Sequence, residues 1–511
     1  MPPRPRLLPL SAALASVIAT LLALPAQGQT LNELYVSARG YDATYQGARA
    51  QYDANVARAA QAKAGILPAV GLTAGAMRSD LDLDIDTLTG ASRGTSASRN
   101  FNTQNVGINA TQPLYRPANW ATYEQGKRQA DIAQAVLTIA EQDLIVRVSQ
   151  AYFDVLASQD SLALVRAQKV AVAEQLASAK RNFEVGTSTI TDAREAQARY
   201  DLVIAQEIAA ENDLQVKKIV LDQLVGRLGS VPVPLAVPVV LPTAMPADIN
   251  AWVTQAEGAH PAIQQAQLGL DVAGLEVQKA QAGHKPTLDA NLGYNVTRNP
   301  TGTSTSTVGS RVNAATVGVT FNLPLFAGFA TENRIKETLA LEDQSRSVLD
   351  GTKRSVAQAT RAAYLGLVSG AGQVKALEAA ESSSQSALDA NKLGYQVGVR
   401  INIDVLNSQS QLFQTKRDLA QARYNVLLGN LKLRQANGTL TTDDMNAINA
   451  TLASNGSVPA VPAATSSAPM VPVVPPSIPV VPPVPVQPFN PTPPVMPSAP
   501  VPPVILNPPV R

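Results

Sequence analysis

The side chains best suited to polar chemistry lie in a short stretch that occurs twice. The second copy runs from Tyr395 to Asp404 and the first from Phe183 to Asp192, with a constant spacing of 212 residues, as between Gly186 and Gly398. Aspartate, arginine and tyrosine can form charge-assisted hydrogen bonds with one another. Because each copy interrupts a very long segment without proline, we interpret both as the tips of helical hairpins.

Signatures of catalysis and nucleotide binding are missing from the sequence. It contains no P-loop, no G-x-S-x-G nucleophile elbow and no H-E-x-x-H zinc motif. It has no cysteine, which excludes disulfides, thiolate metal sites and a cysteine nucleophile. His260 and His284 each stand beside a turn without a second ligand at metal spacing, so we expect both to be structural. We therefore predict no enzymatic activity, no metal and no cofactor.

Composition and the N-terminal residues indicate an exported protein. The 511 residues carry a net charge of +2 without a basic face, so we expect no nucleic-acid partner. Arg4 and Arg6 precede an apolar run that ends in small residues, which predicts a secretory signal peptide at 1–28; an uncleaved N-terminal anchor is the alternative. Beyond residue 29 no apolar run reaches the roughly 20 residues of a membrane-spanning helix. The mature protein is then either soluble outside the cytoplasm or held in a membrane by strands.

Two stretches without proline predict the elements that position the tips. One lies between Pro117 and Pro232 and the other between Pro324 and Pro459, and proline costs about 3 kcal/mol inside a helix. At about 1.5 Å per residue, the longer helical arms reach about 100 Å and must lie side by side in a bundle or coiled coil. The predicted helices are 118–184, 188–228, 328–396 and 399–437.

The repeat extends beyond the tips, so that each half of the chain is one unit. Residues 31–65 match residues 249–283 at a spacing of 218, which indicates an internal twofold duplication. The tail contains 20 of the 37 prolines, and we expect it to be extended and largely disordered. The sequence leaves three roles open for this tail: a binding segment, a spacer across the cell wall, or a dispensable end. The predicted divisions are a first repeat at 29–228, a Pro/Val linker at 229–247, a second repeat at 248–450 and a Pro/Val-rich tail at 451–511.

Between the first helix and the long helix of each repeat, the pattern changes to period two. Apolar residues alternate with glycine and threonine, as from Val70 to Ala76. This pattern predicts β-hairpins at about 68–113 and 286–324, with exposed loops at roughly 79–100 and 299–310. Segments of about ten residues with one apolar face are typical of membrane strands, but soluble hairpins that cap a helical bundle fit equally well. Lipid does not tolerate an open sheet edge, so four strands per chain in a membrane require an oligomer.

Several motifs together resemble the TolC family of outer-membrane channels, in order over residues 30 to about 450 and in both repeats. They are Gly283-His284-Lys285-Pro286, Gln112-Pro113-Leu114-Tyr115, and the two Val-Gly tips followed by Asp192 and Asp404. The resemblance implies a membrane all-α protein with a β-barrel: a homotrimer in which four strands per chain close a 12-stranded barrel on a long periplasmic α-helical coiled-coil tunnel. It implies an exit duct for efflux or type I secretion in the cell outer membrane. The implied partners are outer-membrane lipid, a periplasmic adaptor (membrane fusion protein) and an inner-membrane ABC or proton-driven transporter.

The resemblance also implies roles for residues at the tips. Tyr395 and Arg400 match residues that tie the periplasmic entrance shut, and Thr191 and Asp192 match the acceptors of those ties. Partly exposed pairs of this kind are worth only about 1 kcal/mol each. Such ties would stabilise a closed entrance and yet remain breakable.

Further residues match the pore and the membrane interface. Asp404 matches a ring of aspartates at the narrowest part of the pore, where threefold carboxylates favour cations. One turn later, where relatives have another acid, this chain has Asn407, so we expect no double acidic ring. Aromatic side chains where the strands rejoin the helices suit an interfacial belt, although ordinary packing also accounts for them. These are Tyr115, Trp120, Phe326 and Phe329.

One other class of function fits the same patterns. An elongated periplasmic coiled-coil adaptor or structural protein, not inserted in the membrane, would also have long helical hairpins. The strands distinguish the two classes. A duct forms SDS-resistant trimers in the outer-membrane fraction, whereas an adaptor of this kind is a soluble periplasmic protein.

Overall fold

The computed structural model describes residues 28–85, 95–236, 239 and 241–452. The predicted signal peptide, apart from Gly28, and the predicted tail beyond Leu452 lie outside these residues. Within the described ranges, no helix is both long and apolar enough to cross a membrane.

The same order of elements occurs in both halves of the described chain. The first half contains α1 (Leu31–Tyr41), α2 (Ala43–Ala64), β1 (Ala69–Ile85), β2 (Thr95–Tyr115), α3 (Pro117–Glu184) and α4 (Ile190–Val225). The second contains α5 (Ile249–Ala259), α6 (Pro261–Gln281), β3 (Thr287–Asn299), β4 (Ser310–Asn322), α7 (Ala330–Gln396), α8 (Asn402–Asn437) and α9 (Thr442–Asn449). The short helix α9 was not predicted from the sequence.

A break divides the helical segment before the strands at the equivalent point of each half. One helix was predicted here, and this was wrong because a capping residue starts a second one. Asp42 follows α1, and its Oδ1 accepts a hydrogen bond from the N–H of Tyr45 at 2.7 Å. His260 follows α5, and its Nδ1 accepts from the N–H of Ala262 at 3.1 Å, an N-cap. The structural role predicted for His260 is thus confirmed, and burial lowers the pKa of its imidazole.

Two long helical hairpins dominate the described chain. The outgoing helices α3 and α7 contain 68 and 67 residues, and the returning helices α4 and α8 contain 36 each. The predicted helices are therefore confirmed to within three residues at every end. At 1.5 Å per residue, the longer arms extend about 100 Å.

The largest apolar core joins α1, α3, α4 and α8, and the linker between the halves packs against it. Tyr152 and Leu431 are fully buried in this core. The hydroxyl of Tyr152 donates to the carbonyl of Val233 in the linker at 2.8 Å. Isolated β-bridges pair Pro232 with Gln29 and Leu235 with Leu452. The linker thereby holds both ends of the described chain against the helices.

The four strands form one antiparallel sheet in the order β1-β2-β3-β4, so the two hairpins pair through β2 and β3. Apolar side chains on the sheet are largely exposed, including Leu72 at 71%, Val317 at 82% and Phe321 at 63%. Within the described chain, β1 and β4 are the outer strands. A single copy thus has an apolar sheet surface and two edges that need a partner.

The first predicted loop, at 79–100, was wrong because the strands continue through most of it. β1 extends to Ile85, which pairs with Thr95 at the start of β2. Aspartate and leucine alternate from 80 to 84, which is the period of a strand. The strand was missed because a segment rich in aspartate was interpreted as an exposed loop. The strands contain 17, 21, 13 and 13 residues rather than about ten. The second loop, at 299–310, agrees with the ends of β3 and β4.

Asp42 also fastens the first helix pair to α3. Arg147 Nη1 and Nη2 donate to its two carboxylate oxygens at 2.9 and 3.0 Å, and the Asp42 side chain is only 8% exposed. The hydrogen bonds from Arg147 lower the pKa of this carboxyl below its ordinary value of 3.8. Its contribution to stability is therefore complete above that value and is lost as the pH falls through the folded-state pKa.

We expect Asp42→Asn to lower the free energy of unfolding by about 2 kcal/mol at pH 7, because charge-assisted hydrogen bonds to Arg147 are lost. The difference from the unaltered protein should begin to shrink as the pH falls below about 4, the ordinary aspartate value, and should go on shrinking as the pH falls towards the lower folded-state pKa of Asp42. Denaturant unfolding followed by circular dichroism at pH 7 and pH 3 measures both effects. Asp143→Asn, which removes a more exposed partner of Arg147, is the control. An equal loss at both pH values contradicts the proposed linkage.

Candidate functional site: the paired hairpin tips

Both tips are closed by the same backbone turn. Gly186 and Gly398 each have a φ of 78°, a left-handed conformation that glycine adopts without strain. In each tip, the N–H groups of two residues after the glycine donate to one carbonyl in the last turn of the preceding helix, that of Asn182 or Gly394. The repeated sequence therefore produces two tips with one backbone shape.

Thr189 caps the start of α4 and forms a capping box with Asp192, the third residue of the helix. The N–H and the hydroxyl of Thr189 donate to Asp192 Oδ2 at 3.0 and 2.9 Å, and the N–H of Asp192 donates to Thr189 Oγ1 at 3.2 Å. The box satisfies backbone N–H groups of the first helical turn and holds the carboxylate at the tip. It uses Oδ2 and not Oδ1, and the exposed Thr191 lies beside it.

A buried asparagine joins the second tip to the first within one chain. Asn402, at the start of α8, is fully buried. Its Nδ2 donates to the carbonyl of Asp192 at 3.3 Å, and its Oδ1 accepts from Gln175 Nε2 in α3. Close by, the hydroxyl of Tyr395 accepts from Asn182 Nδ2 at 3.3 Å. These hydrogen bonds hold the two tips side by side.

The residues predicted to tie the entrance lie at these neighbouring tips but have other partners within one chain. Arg400 Nη1 is 3.6 Å from Oδ2 of Asp404, one turn further along α8, and the two side chains are 58% and 34% exposed. Tyr395 is bonded to the end of α3. Among the hydrogen bonds and ion pairs of the described residues, neither donor reaches Thr191 or Asp192. Their predicted ties therefore require a neighbouring subunit.

Three residues at the tips were missed by sequence reasoning. Asn182 and Asn402 form the links described above, and the available signal for Asn402 was a polar residue between two isoleucines. Arg199 donates through Nη2 to Oδ1 of Asn407 at 2.7 Å. Its signal was a cation seven residues after Asp192, hence on the same face of α4. Asn407, the residue for which no second acidic ring was predicted, therefore accepts a hydrogen bond from a guanidinium.

The predicted interfacial aromatics lie where the strands join the long helices. Tyr115 ends β2, Trp120 is in the first turn of α3, and Phe326 and Phe329 precede α7. Their exposed fractions are 46%, 54%, 76% and 64%. The rings of Phe326 and Phe329 meet edge to face with their centroids 5.5 Å apart. Large exposed aromatics at such a junction suit a boundary between water and lipid.

A bidentate ion pair fixes one of these junctions. Arg116 Nε and Nη2 donate to the two carboxylate oxygens of Asp289 at 2.7 and 2.5 Å. Asp289 is 8% exposed and lies in β3, next to the end of β2. The pair therefore fixes the start of α3 to the neighbouring strand of the sheet.

These features together define a class of protein. An antiparallel sheet with an apolar exposed surface and two edges to be paired, continued into long helical hairpins with polar tips, defines an outer-membrane channel completed by further copies of the same chain.

Comparison with known proteins gives the family. The model of the outer membrane efflux protein family matches residues 34–227 and 252–439, and the chain belongs to this family. The outer membrane protein TolC of Vibrio cholerae serotype O1 is 32% identical over 449 residues, 88% of this chain and 98% of the relative. The proteases secretion protein PrtF of Dickeya chrysanthemi is 29% identical over 445 residues, 85% of this chain and 93% of the relative. The outer membrane protein VceC from Vibrio cholerae has a similar structure, with a TM-score of 0.67 at 18% identity, covering 80% of this chain and 96% of VceC.

These similarities confirm the resemblance to the TolC family and the predicted fold class. Four strands per chain belong to a 12-stranded trimeric β-barrel that stands on a long periplasmic α-helical tunnel, with an internal twofold repeat. The protein is an outer-membrane exit duct of the kind used in efflux and type I secretion. The alternative of a periplasmic adaptor outside the membrane is thereby set aside.

We expect Asn402→Ala to loosen the contact between the two tips, because the substitution leaves the Gln175 amide and the Asp192 carbonyl without their partner. A cost of about 2 kcal/mol corresponds to an increase of about 30-fold in the opening equilibrium. Hydrogen exchange of the amides at 186–192 and 398–404 measures it in the purified protein. Asn425→Ala, at an exposed position of the same helix, is the control. Unchanged exchange at both tips excludes Asn402 as the link between them.

Proposed function

We propose that the paired tips form a gate at the periplasmic entrance of the duct. Tyr395 and Arg400 of one chain donate to Thr191 and Asp192 of the next, and these ties close the entrance at rest. The proposal rests on one observation: the two copies of the tip have one backbone shape but complementary side chains, donors in the second and acceptors in the first.

The geometry within one chain supports this assignment. Oδ1 of Asp192 takes no part in the capping box, so the carboxylate can accept a further donor. Arg400 is 58% exposed, and its 3.6 Å separation from Asp404 is longer than a well-formed hydrogen bond. Such a guanidinium can exchange one carboxylate for another at little cost.

We infer that opening comes from partners outside this chain. The inferred partners are a periplasmic adaptor (membrane fusion protein) and an inner-membrane ABC or proton-driven transporter. Ties of about 1 kcal/mol each, repeated by threefold symmetry, add up to a few kcal/mol. Docking of a partner that binds the open tips more tightly can supply this amount. The secretion role in the name of PrtF and the efflux role in the name of the family support such an assembly.

Asp404 is proposed to line the constriction. Three copies around a threefold axis would present three carboxylates to the pore, which attracts cations. Asn407 adds no negative charge one turn later, and its oxygen accepts from Arg199. The acidic ring of this duct is therefore single.

The remaining predicted assignments fit the same function. We propose that residues 1–28 direct export, that 29–228 and 248–450 are the two repeats joined by 229–247, and that 451–511 is a separate tail. The exposed aromatics at the junctions of strands and helices are proposed to contact outer-membrane lipid at its periplasmic boundary.

The double variant Arg400→Ser with Tyr395→Phe is expected to raise the single-channel conductance in planar bilayers, because both donors of the ties are lost. Each tie of about 1 kcal/mol removed lowers the closed-to-open ratio by about fivefold. Lys392→Ser, at an exposed position of the same helix, is the control and should leave the conductance as it was. A double variant with the conductance of the unaltered protein would falsify the gate.

Asp404→Asn is expected to reduce the cation preference of the open pore, because the carboxylate ring becomes a ring of neutral amides. The reversal potential in a potassium chloride gradient measures the preference, and block by added divalent cations should weaken in parallel. Asp443→Asn, at an exposed position of α9, serves as the control. If the reversal potential stays the same, Asp404 does not line the constriction.

A further inference from the structure

A polar cleft lies between α3, α4 and α8, beyond the tips. It has a volume of about 390 Å³. Its polar lining includes two arginines, Arg199 and Arg417, together with amide side chains such as Gln168, Gln206 and Gln411. Its described lining contains no carboxylate. A cleft with two cations and no anion is unusual in a chain whose total charge is nearly balanced.

Both guanidiniums donate to neutral amide oxygens. Arg199 Nη2 donates to Asn407 Oδ1 at 2.7 Å. Arg417 Nη1 and Nη2 donate to the Oε1 atoms of Gln168 and Gln414 at 3.1 and 2.8 Å. These contacts satisfy individual N–H groups but leave the positive charge uncompensated.

Other arginines in the same helical bundle form ion pairs with carboxylates. Arg166 on α3 pairs with Glu207 and Glu211, and Arg423 on α8 pairs with Glu378. The cleft is therefore a local departure from the pairing used elsewhere in the bundle. Its two guanidiniums lack the carboxylate acceptors that these other arginines have.

Burial makes the charged form of Arg417 less stable, so an anionic partner would stabilise it more than at an exposed site. Gln168, its acceptor, is 4% exposed, and burial lowers the pKa of Arg417. The neighbouring Asp418 opposes this shift only in part; it accepts from Gln414 Nε2 at 2.8 Å and does not line the cleft. A half-buried guanidinium that has lost part of its water without gaining a paired carboxylate is stabilised by an anion that can reach it.

We propose that this cleft binds an anion through carboxylate or phosphate oxygens held by Arg199 and Arg417. The planar fork of a guanidinium matches both kinds of group, and the lining amides offer further N–H donors. A bound anion competes with Asn407 and Gln168 for the two arginines. Since those contacts join α4 and α3 to α8, anion binding also loosens two links between the hairpins of one chain.

The position of the cleft indicates which anions meet it. Asp404, Asn407, Gln411 and Gln414 follow one another at spacings of three or four residues, so they share one face of α8. The cleft then opens into the duct next to its constriction, a placement that rests on the proposed function of Asp404. Its ligands are accordingly acidic solutes or acidic groups of cargo inside the duct.

Equilibrium dialysis of the purified full-length trimer in detergent against labelled phosphate and labelled succinate, at constant ionic strength, tests the site. We expect saturable binding of one anion per chain. Arg199→Gln and Arg417→Gln should each weaken binding about tenfold, the scale of one lost charge-assisted contact, and the double variant should abolish it. Arg194→Gln, on the same helix but outside the cleft, should bind like the unaltered protein.

Each outcome decides the proposal. Saturable binding of phosphate alone, or of succinate alone, supports the site and identifies the oxyanion that it prefers. No saturable binding of either probe, or undiminished binding by a double variant that still forms SDS-resistant trimers, overturns it. Binding in detergent does not depend on conductance, so failure here is distinct from failure of the proposed gate.

Discussion

The requirement that every backbone N–H and C=O group inside lipid be hydrogen-bonded governs this molecule. One chain supplies a four-stranded sheet whose outer strands, β1 and β4, have edges to be paired. Only a closed ring of chains removes those edges, so trimer formation is a condition of membrane insertion. The helices continue from the strands through junctions such as the Arg116–Asp289 pair, so they follow the symmetry of the barrel. Every contact at the tips is consequently made three times.

Duplication followed by divergence explains how one fold can provide both sides of the proposed tie. The two tips share a left-handed glycine and the same closing hydrogen bonds. In the first, Thr189 and Asp192 form a capping box. In the second, Ile401 occupies the N-cap position and offers no side-chain cap. The carboxylate of Asp404 is thus not used in a helix cap, and its 3.6 Å pair with Arg400 is loose enough to be exchanged for other partners.

Much of this architecture could be predicted from the sequence because its signals are long. Helix preference summed over more than 60 residues without proline outweighs local exceptions, which is why the ends of α3 and α7 were predicted so closely. Short signals failed: Asp42 looks like one polar residue in a helix, and the Asp-Leu alternation at 80–84 looks like a polar loop. The pairing of Arg199 with Asn407 joins residues more than 200 positions apart. It depends on the register between two hairpins, which no local pattern encodes.

The charges near the proposed constriction act over different distances. Asn407 lies one turn from Asp404, about 5 Å along α8, so the guanidinium that donates to Asn407 lies near Asp404 and offsets part of the charge of the proposed acidic ring. Arg417 is 13 residues from Asp404 along α8, about 20 Å away, and its field at the ring is largely screened. A cation at the proposed ring would therefore meet an attraction reduced by Arg199, whereas an anion beyond the ring would meet Arg417, whose acceptors in the cleft are neutral amides. With a neutral amide at position 407, the charge of Arg199 is not cancelled by its acceptor and acts on the proposed ring.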